Sequence, residues 1–151
     1  MIPARFETVL WTAMSGRAGK WRVRHDPRLL RPAELRALPY RKVVYVPVRE
    51  ARDGHVIDYV GSAVRARPGA AWQRVVGEHQ RQYLDRRIDW ARVAVIGLRD
   101  DAPLLAVRWI EAAVAEQAGR PPKCVRLPVL PAGWRQLLAD MPADQTLDEA
   151  A

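Results

Sequence analysis

The chain has 151 residues, 49% of them hydrophobic, and a formal net charge of +8. That length holds one domain with a real core and no need of disulfide or metal staples. Cys124 is the sole cysteine, which excludes a disulfide framework and a thiolate zinc site. There is no secretory leader pattern and no apolar run of membrane-spanning length, so the expectation is an intracellular, cytoplasmic protein with no membrane partner. The charge is unevenly placed. All 25 basic residues stand at or before Arg135, while four of the 17 acidic ones (Asp140, Asp144, Asp148, Glu149) follow it. A basic body favours a polyanionic partner, with nucleic acid ahead of a lipid surface. Arginine dominates the excess; its guanidinium fork suits phosphate, although an arginine-rich solvated surface is the blander explanation.

In chain order, Phe6, Val9, Leu10 and Ala13 have helical spacing that Gly16 and Gly19 end. Trp21, Val23 and His25 then alternate with Arg22 and Arg24 as a short strand. Pro32 to Leu38 opens with proline in a first helical turn and closes before Pro39. Lys42 to Arg49 and Val56 to Val60 are rich in Val and Tyr, with Asp53-Gly54 between them as a hairpin turn. Pro68 to Leu84 has the next helical stripe, through Trp72, Val75, Val76, His79 and Tyr83. Ala91 to Leu98 reads as a buried central strand. Asp100 and Asp101 are candidate caps for a helix from near Pro103 to Gly119, which Pro121-Pro122 block from continuing. Val125 to Leu127 is a candidate short strand, and Trp134 to Leu138 a last helical turn or two. The order predicts an α/β (α+β) layer fold, with a small mixed sheet of about three strands flanked by helices. Its parts are an N-terminal appendage (1–37), a main domain (38–135) and a flexible acidic tail (136–151).

One residue stands out on physical grounds. Leu104, Val107, Val114 and Ala115 lie at helical offsets from Glu111, which puts its carboxylate inside an apolar stripe. A carboxylate there is costly unless it is paired or binds a cation. Arg108, one turn back, offers a structural ion pair; a hard metal such as Mg²⁺ is the functional alternative. The hairpin supplies a register test. A two-residue turn at Asp53-Gly54 sets Val48 opposite Tyr59 and leaves Tyr45 on the other face. The two tyrosines share a face only with an odd-length loop or a bulge, for which Pro47 is a reasonable site.

Val43-Val44-Tyr45, followed by Tyr59-Val60-Gly61-Ser62-Ala63, resembles the opening hairpin of the GIY-YIG nuclease superfamily. The likeness covers about residues 38–127 and implies a GIY-YIG-like fold acting as a metal-dependent DNA endonuclease with Mg²⁺ (or Mn²⁺). By that resemblance, Tyr45 is the general base toward water, supported by Tyr59 and His79. Arg74 or Arg65 stabilises the phosphate, and Glu111 holds the metal. Gly61, Ser62, Arg67, Arg81, Arg86 and Arg87 then fall on the nucleic-acid side, joined by Arg92. Arg74 and His79 are five residues apart where the family spacing is four, so an ideal helix turns Arg74 away from the His79 stripe. Val43 replaces the first signature glycine. The family's late asparagine is missing, and Cys124 stands near its place. These departures keep two other readings open: a catalytically impaired nucleic-acid-binding module, and a protein-interaction domain built on the tryptophans.

Overall fold

The computed structural model describes residues 6–23, 28–52, 54–81, 88–121, 123–124 and 127–144. Its centre is β1 (Lys42–Ala51), a strand long enough to carry three partners: β2 (Gly54–Ile57), β3 (Gly61–Val64) and β4 (Val93–Leu98). All three pair with it antiparallel, so the sheet has four strands and one sense, rather than the mixed sheet of about three expected. β3 and β4 flank the first half of β1, and β2 pairs with its far end.

The added strand comes from a break in the expected hairpin. Ala51 pairs with Gly54, so the turn falls one residue earlier than Asp53-Gly54, and Val48 meets Ile57 rather than Tyr59. Asp53 itself lies outside the described residues. Farther along, Tyr45 pairs with Gly61. Val46 and Pro47 therefore face three residues, Asp58, Tyr59 and Val60: a bulge that adds one residue on the return strand, opposite the proline. An extra residue reverses the alternation of everything after it. Ile57 joins the face of Val48, whereas Ala63 joins the face of Val43 and Tyr45. Tyr59, inside the bulge, packs with Tyr45.

Each face of the sheet buries its own core. Val44, Val46 and Val48 point toward α1 (Phe6–Ala13), α3 (Leu104–Gln117) and α4 (Trp134–Asp140), meeting Leu10, Met14, Val107, Ile110, Val114 and Leu138. Val43 and Tyr45 point toward α2 (Ala70–Trp72) and its continuation, meeting Leu35, Ala70, Ala71, Val75 and Trp90. Each fully buried Val or Leu in these cores contributes about 1.5–3 kcal/mol of transfer free energy. The lead-in is thus integral to the first core, and Val23 N–H and Arg99 N–H tie it to β4 and Trp21 (Val23 to the Gly97 carbonyl, 2.8 Å; Arg99 to the Trp21 carbonyl, 2.8 Å). The boundary drawn at 135/136 falls inside α4, where Trp21 Nε1 donates to the Leu138 carbonyl at 2.9 Å. His25, Tyr83, Val125 and Arg126 lie outside the described residues, which leaves those parts of the expected strand, stripe and short strand without a structural counterpart. α3 is capped by Pro103 with no side-chain cap; Asp101, expected as a cap, instead holds Arg99 at 2.7 Å.

The helix after β3 is irregular. Ala70–Trp72 is α-helical, Gln73–Glu78 is wound as π-helix, and His79–Arg81 tightens to 3-10. The His79 N–H bonds back to the Arg74 carbonyl as well as that of Val75. A bond reaching five residues back defines the π turn, and it brings positions five apart onto one side.

Candidate active site

That winding resolves the spacing of Arg74 and His79. Both reach the same atom: Arg74 Nε donates to Tyr45 Oη at 3.3 Å, and His79 Nε2 lies 2.5 Å from it. Tyr45 is fully covered, and a buried hydroxyl without partners would cost about 1–3 kcal/mol; here Arg74 and His79 satisfy it. Burial pushes the Tyr45 phenol well above the ordinary tyrosine range, reinforced by Tyr59 and opposed by Arg74. Burial likewise raises Tyr59. The ring of His79 stacks on Trp90 at 4.6 Å between centroids, and the Tyr45 and Tyr59 rings lie 6.3 Å apart. Two phenols, an imidazole, an indole and a guanidinium therefore form one closed cluster on the Val43/Tyr45 face.

Gly61 belongs to this cluster for a reason other than the one expected. A Cβ built on it would overlap the Tyr45 Oη and Cζ atoms. Its missing side chain makes room for the phenol lying across from it, and the glycine is itself buried.

The carboxylate side of the site comes over the edge of β3. Ser62 alternates to the other face of the sheet and donates its hydroxyl to Glu111 Oε2 at 2.7 Å. Arg108 Nη1 reaches the same oxygen at 3.2 Å, so the expected ion pair is present. Glu111 is only 6% exposed. Burial raises its carboxyl above the usual range, while the Ser62 hydrogen bond and the charges of Arg108 and Arg74 pull it back. Of the stripe that pointed to it, Val107, Val114 and Ala115 are buried but Leu104 is exposed.

The two sides meet in a cavity of about 280 Å³ lined by Tyr59, Ser62, Arg74, Arg108, Glu111 and Lys123, with Val60, Cys124 and Leu127 completing the wall. Tyr45 and His79 do not line it; they stand behind Tyr59. Of the two tyrosines, the second is the one on the cavity wall. Cys124, near the place of the missing asparagine, sits against the bulge. Its thiol accepts from the Val60 N–H at 3.2 Å and faces the Val60 carbonyl at 3.6 Å, which is the donor-and-acceptor pairing expected of an amide rather than a thiol. Burial raises the thiol, the Val60 N–H lowers it and Glu111 raises it.

Arg65 is drawn elsewhere. Its Nη2 pairs with Glu78 at 2.6 Å and its Nε with Gln73 at 3.1 Å, and it does not line the cavity. Glu78, which sequence reasoning missed, also accepts from Arg74 Nη1 at 3.3 Å, on the same two oxygens that accept from Arg65, and so fixes both guanidinium groups. The signal was present: Glu78 stands four residues after Arg74, ion-pair spacing on a helix. Trp90 had no such signal, since nothing local marks a strand-flanking tryptophan as the plate under a histidine. Arg67, Arg81 and Arg92 are exposed and away from the cavity lining; Arg86 and Arg87 lie outside the described residues. Lys42 is also buried, with its ammonium on the Ala102 carbonyl.

For a metal, the donor set is sparse. Among the described residues, no group of three or more His, Cys, Asp or Glu gathers to form a cage. One carboxylate beside a hydroxyl in a polar cavity fits Mg²⁺, which keeps most of its waters and binds through one or two carboxylates plus substrate oxygens. Zinc and calcium sites need more protein ligands than this. No family model, curated protein or solved structure matches the chain. No helix among the described residues is long and apolar enough to cross a membrane.

Proposed function

We propose that the protein is a metal-dependent phosphodiesterase acting on DNA, a divergent member of the GIY-YIG nucleases. The observation that carries the reading is the convergence of Tyr59, Arg74, Ser62 and Glu111, from the bulge and three separate elements, on one cavity. The hidden bulge and the π turn, each a local departure from regular structure, serve that convergence, and such departures gather at functional sites.

The residues divide the work. Tyr59 Oη takes a proton from the attacking water while passing its own to Tyr45, which passes one to His79 Nε2. Each phenol stays neutral at the end of the relay, which is needed because burial disfavours phenolate at both positions and an ordinary phenol is a poor base near neutrality. His79 is then the proton's destination, and its Nε2 starts unprotonated. The hydroxide attacks phosphorus as the bond to the leaving oxygen breaks. Arg74, held by Glu78, places positive charge beside the phosphoryl oxygens in the transition state. Glu111 would hold Mg²⁺, which when bound supplies charge to polarise the phosphate and stabilise the leaving oxygen. Exposed Arg67, Arg81 and Arg92 would meet backbone phosphates, which fix position without reading sequence.

The test is nicking of supercoiled plasmid with Mg²⁺, Mn²⁺ or EDTA, beside the Glu111→Gln variant. Metal-dependent nicking, lost in the variant while DNA binding persists, is the expected result. Nicking at the wild-type rate by the variant, or in EDTA, removes this chemistry. A second reading, DNA binding without turnover, draws support from the occupation of Glu111 Oε2 by Ser62 and Arg108. It predicts steeply salt-dependent binding with no metal effect.

A further inference from the structure

A second cavity, of about 320 Å³, backs onto the candidate site: Cys124 and Leu127 line both. The two differ in chemistry. The first gathers Arg74, Arg108 and Lys123 around one carboxylate. The second is faced by Ala112, Pro128 and Leu130, with Glu116 and Arg120 as its charged residues. Its wall is set in advance, because Cys124, Leu127 and Leu130 pack on the first core and Pro128 fixes its own φ. Glu116 and Arg120 are paired loosely. Their ion pair spans 3.9 Å with the side chains 54% and 81% exposed, beyond hydrogen-bond reach and weak in water. Arg120 reaches its place through a left-handed backbone (φ 55°), the only described non-glycine residue with one, and such strain gathers at binding sites.

A nucleotide has the same two parts: an anionic phosphate, and a flat base with apolar faces and a polar edge. The Glu116 carboxylate disfavours a second phosphate in the second cavity, since like charges brought together are costly. Of the four DNA bases, guanine alone presents two adjacent donors, its N1–H and its amino group, to the two oxygens of one carboxylate. Its O6 and N7 take an arginine fork. A carboxylate and a guanidinium side by side therefore match the corner of the base where O6 meets N1.

We propose that this cavity is a guanine subsite, holding the base of the nucleotide whose phosphate enters the candidate site. Glu116 accepts from guanine N1–H and N2–H, Arg120 donates to O6 and N7, and Leu127, Pro128 and Leu130 cover the ring. This rests on the phosphodiesterase reading for the phosphate and adds to it a substrate preference. N1 and the amino group are the pairing edge, so the guanine read here is an unpaired one.

The subsite is tested by titration calorimetry with the four deoxynucleoside 5′-monophosphates in Mg²⁺, with deoxyribose 5-phosphate measuring the phosphate's share. A bidentate contact to the right base is commonly worth about tenfold. Deoxyguanosine monophosphate should therefore bind about tenfold more tightly than the other three. Glu116→Gln, at an exposed position, offers one acceptor in place of two. It should cut the guanine advantage to less than about threefold and leave the other nucleotides unchanged. Arg74→Gln should weaken all four alike and keep the advantage. Equal binding of the four nucleotides by wild type overturns the subsite, and so does no binding at all. A guanine preference that survives Glu116→Gln overturns it too, as does a loss in that variant shared by all four. The nicking assay separates the two levels. Nicking with equal nucleotide binding sinks the subsite alone, whereas a Glu116-dependent guanine preference without nicking sinks the phosphodiesterase reading alone.

Discussion

The aromatic wall of the cavity and its carboxylate wall are built in opposite ways. On one, Tyr45 Oη is engaged by Arg74 and His79, the Tyr59 ring packs against that of Tyr45, His79 is clamped on Trp90, and Arg74 is pinned again by Glu78. Tyr45 Oη and the Arg74 guanidinium each have more than one partner there. On the other wall, one buried acid relies on a hydroxyl and an exposed arginine. A satisfied buried network rigidifies, while an ion pair with one partner in water is weak and readily exchanged. Under the proposed function, the first wall would move a proton along a fixed line, and the second would hold a cation.

The sharpest way to break this contrast is to cut the proton line where it meets the cavity. Tyr59→Phe should slow cleavage by roughly 10²–10⁴-fold, the usual worth of a positioned proton-transfer group, with DNA affinity unchanged. Tyr45→Phe should cost no more than Tyr59→Phe, since it leaves the group facing the water in place and cuts only the onward path of its proton. The two single-turnover rates decide which tyrosine faces the water, and a larger loss at Tyr45 would reverse the order assigned here.

Gly61→Ala comes next. The new methyl group overlaps the Tyr45 phenol, so overpacking should destabilise the fold by about 1–3 kcal/mol, read from urea denaturation. Stability equal to wild type would mean the ring can move, and that the aromatic wall is not fixed.

A smaller effect of opposite sign is expected on the acidic wall. Burial raises the Glu111 carboxyl, so its ionised form costs the folded state free energy. That cost is absent where the carboxyl is protonated in both folded and unfolded chains, and is fully present above its folded value. Glu111→Gln should therefore stabilise the fold at pH 8, because the buried charge is gone while the half-exposed Arg108 keeps its water. The gain should vanish as pH falls below the ordinary carboxylate value of 4.5, as thermal melts across that range will show. A variant less stable than wild type at pH 8 would make the Arg108 pair a structural fastening.

Glu78→Gln should be the mildest, because both arginines keep other partners. A several-fold fall in kcat with little change in KM is expected of a residue that orients Arg74 from behind. A loss as large as that of Tyr59→Phe would place Glu78 in the chemistry instead.

Local pattern alone determined a good deal of this protein. Alternating Val and Tyr made β1, the apolar run made β4, and the 3.6-residue stripe made α3 and left its carboxylate facing inward, because periodicity and burial follow directly from side-chain chemistry. The demand for a bulge was also legible, since parity forbids two tyrosines at that separation from sharing a face without one. Only the folded chain decided how that demand was met: by one extra residue among Asp58, Tyr59 and Val60, splitting the return strand in two and hiding Tyr45 behind Tyr59. The five-residue step from Arg74 to His79 looked like a mismatch because an α-helix was assumed, and tertiary bonds to one phenol held a π turn that no propensity scale favours. Glu78, Trp90 and the docking of α4 on Trp21 belong to the same class. Their roles depend on contacts between residues far apart in the chain, and those energies exist only once the chain has closed on itself.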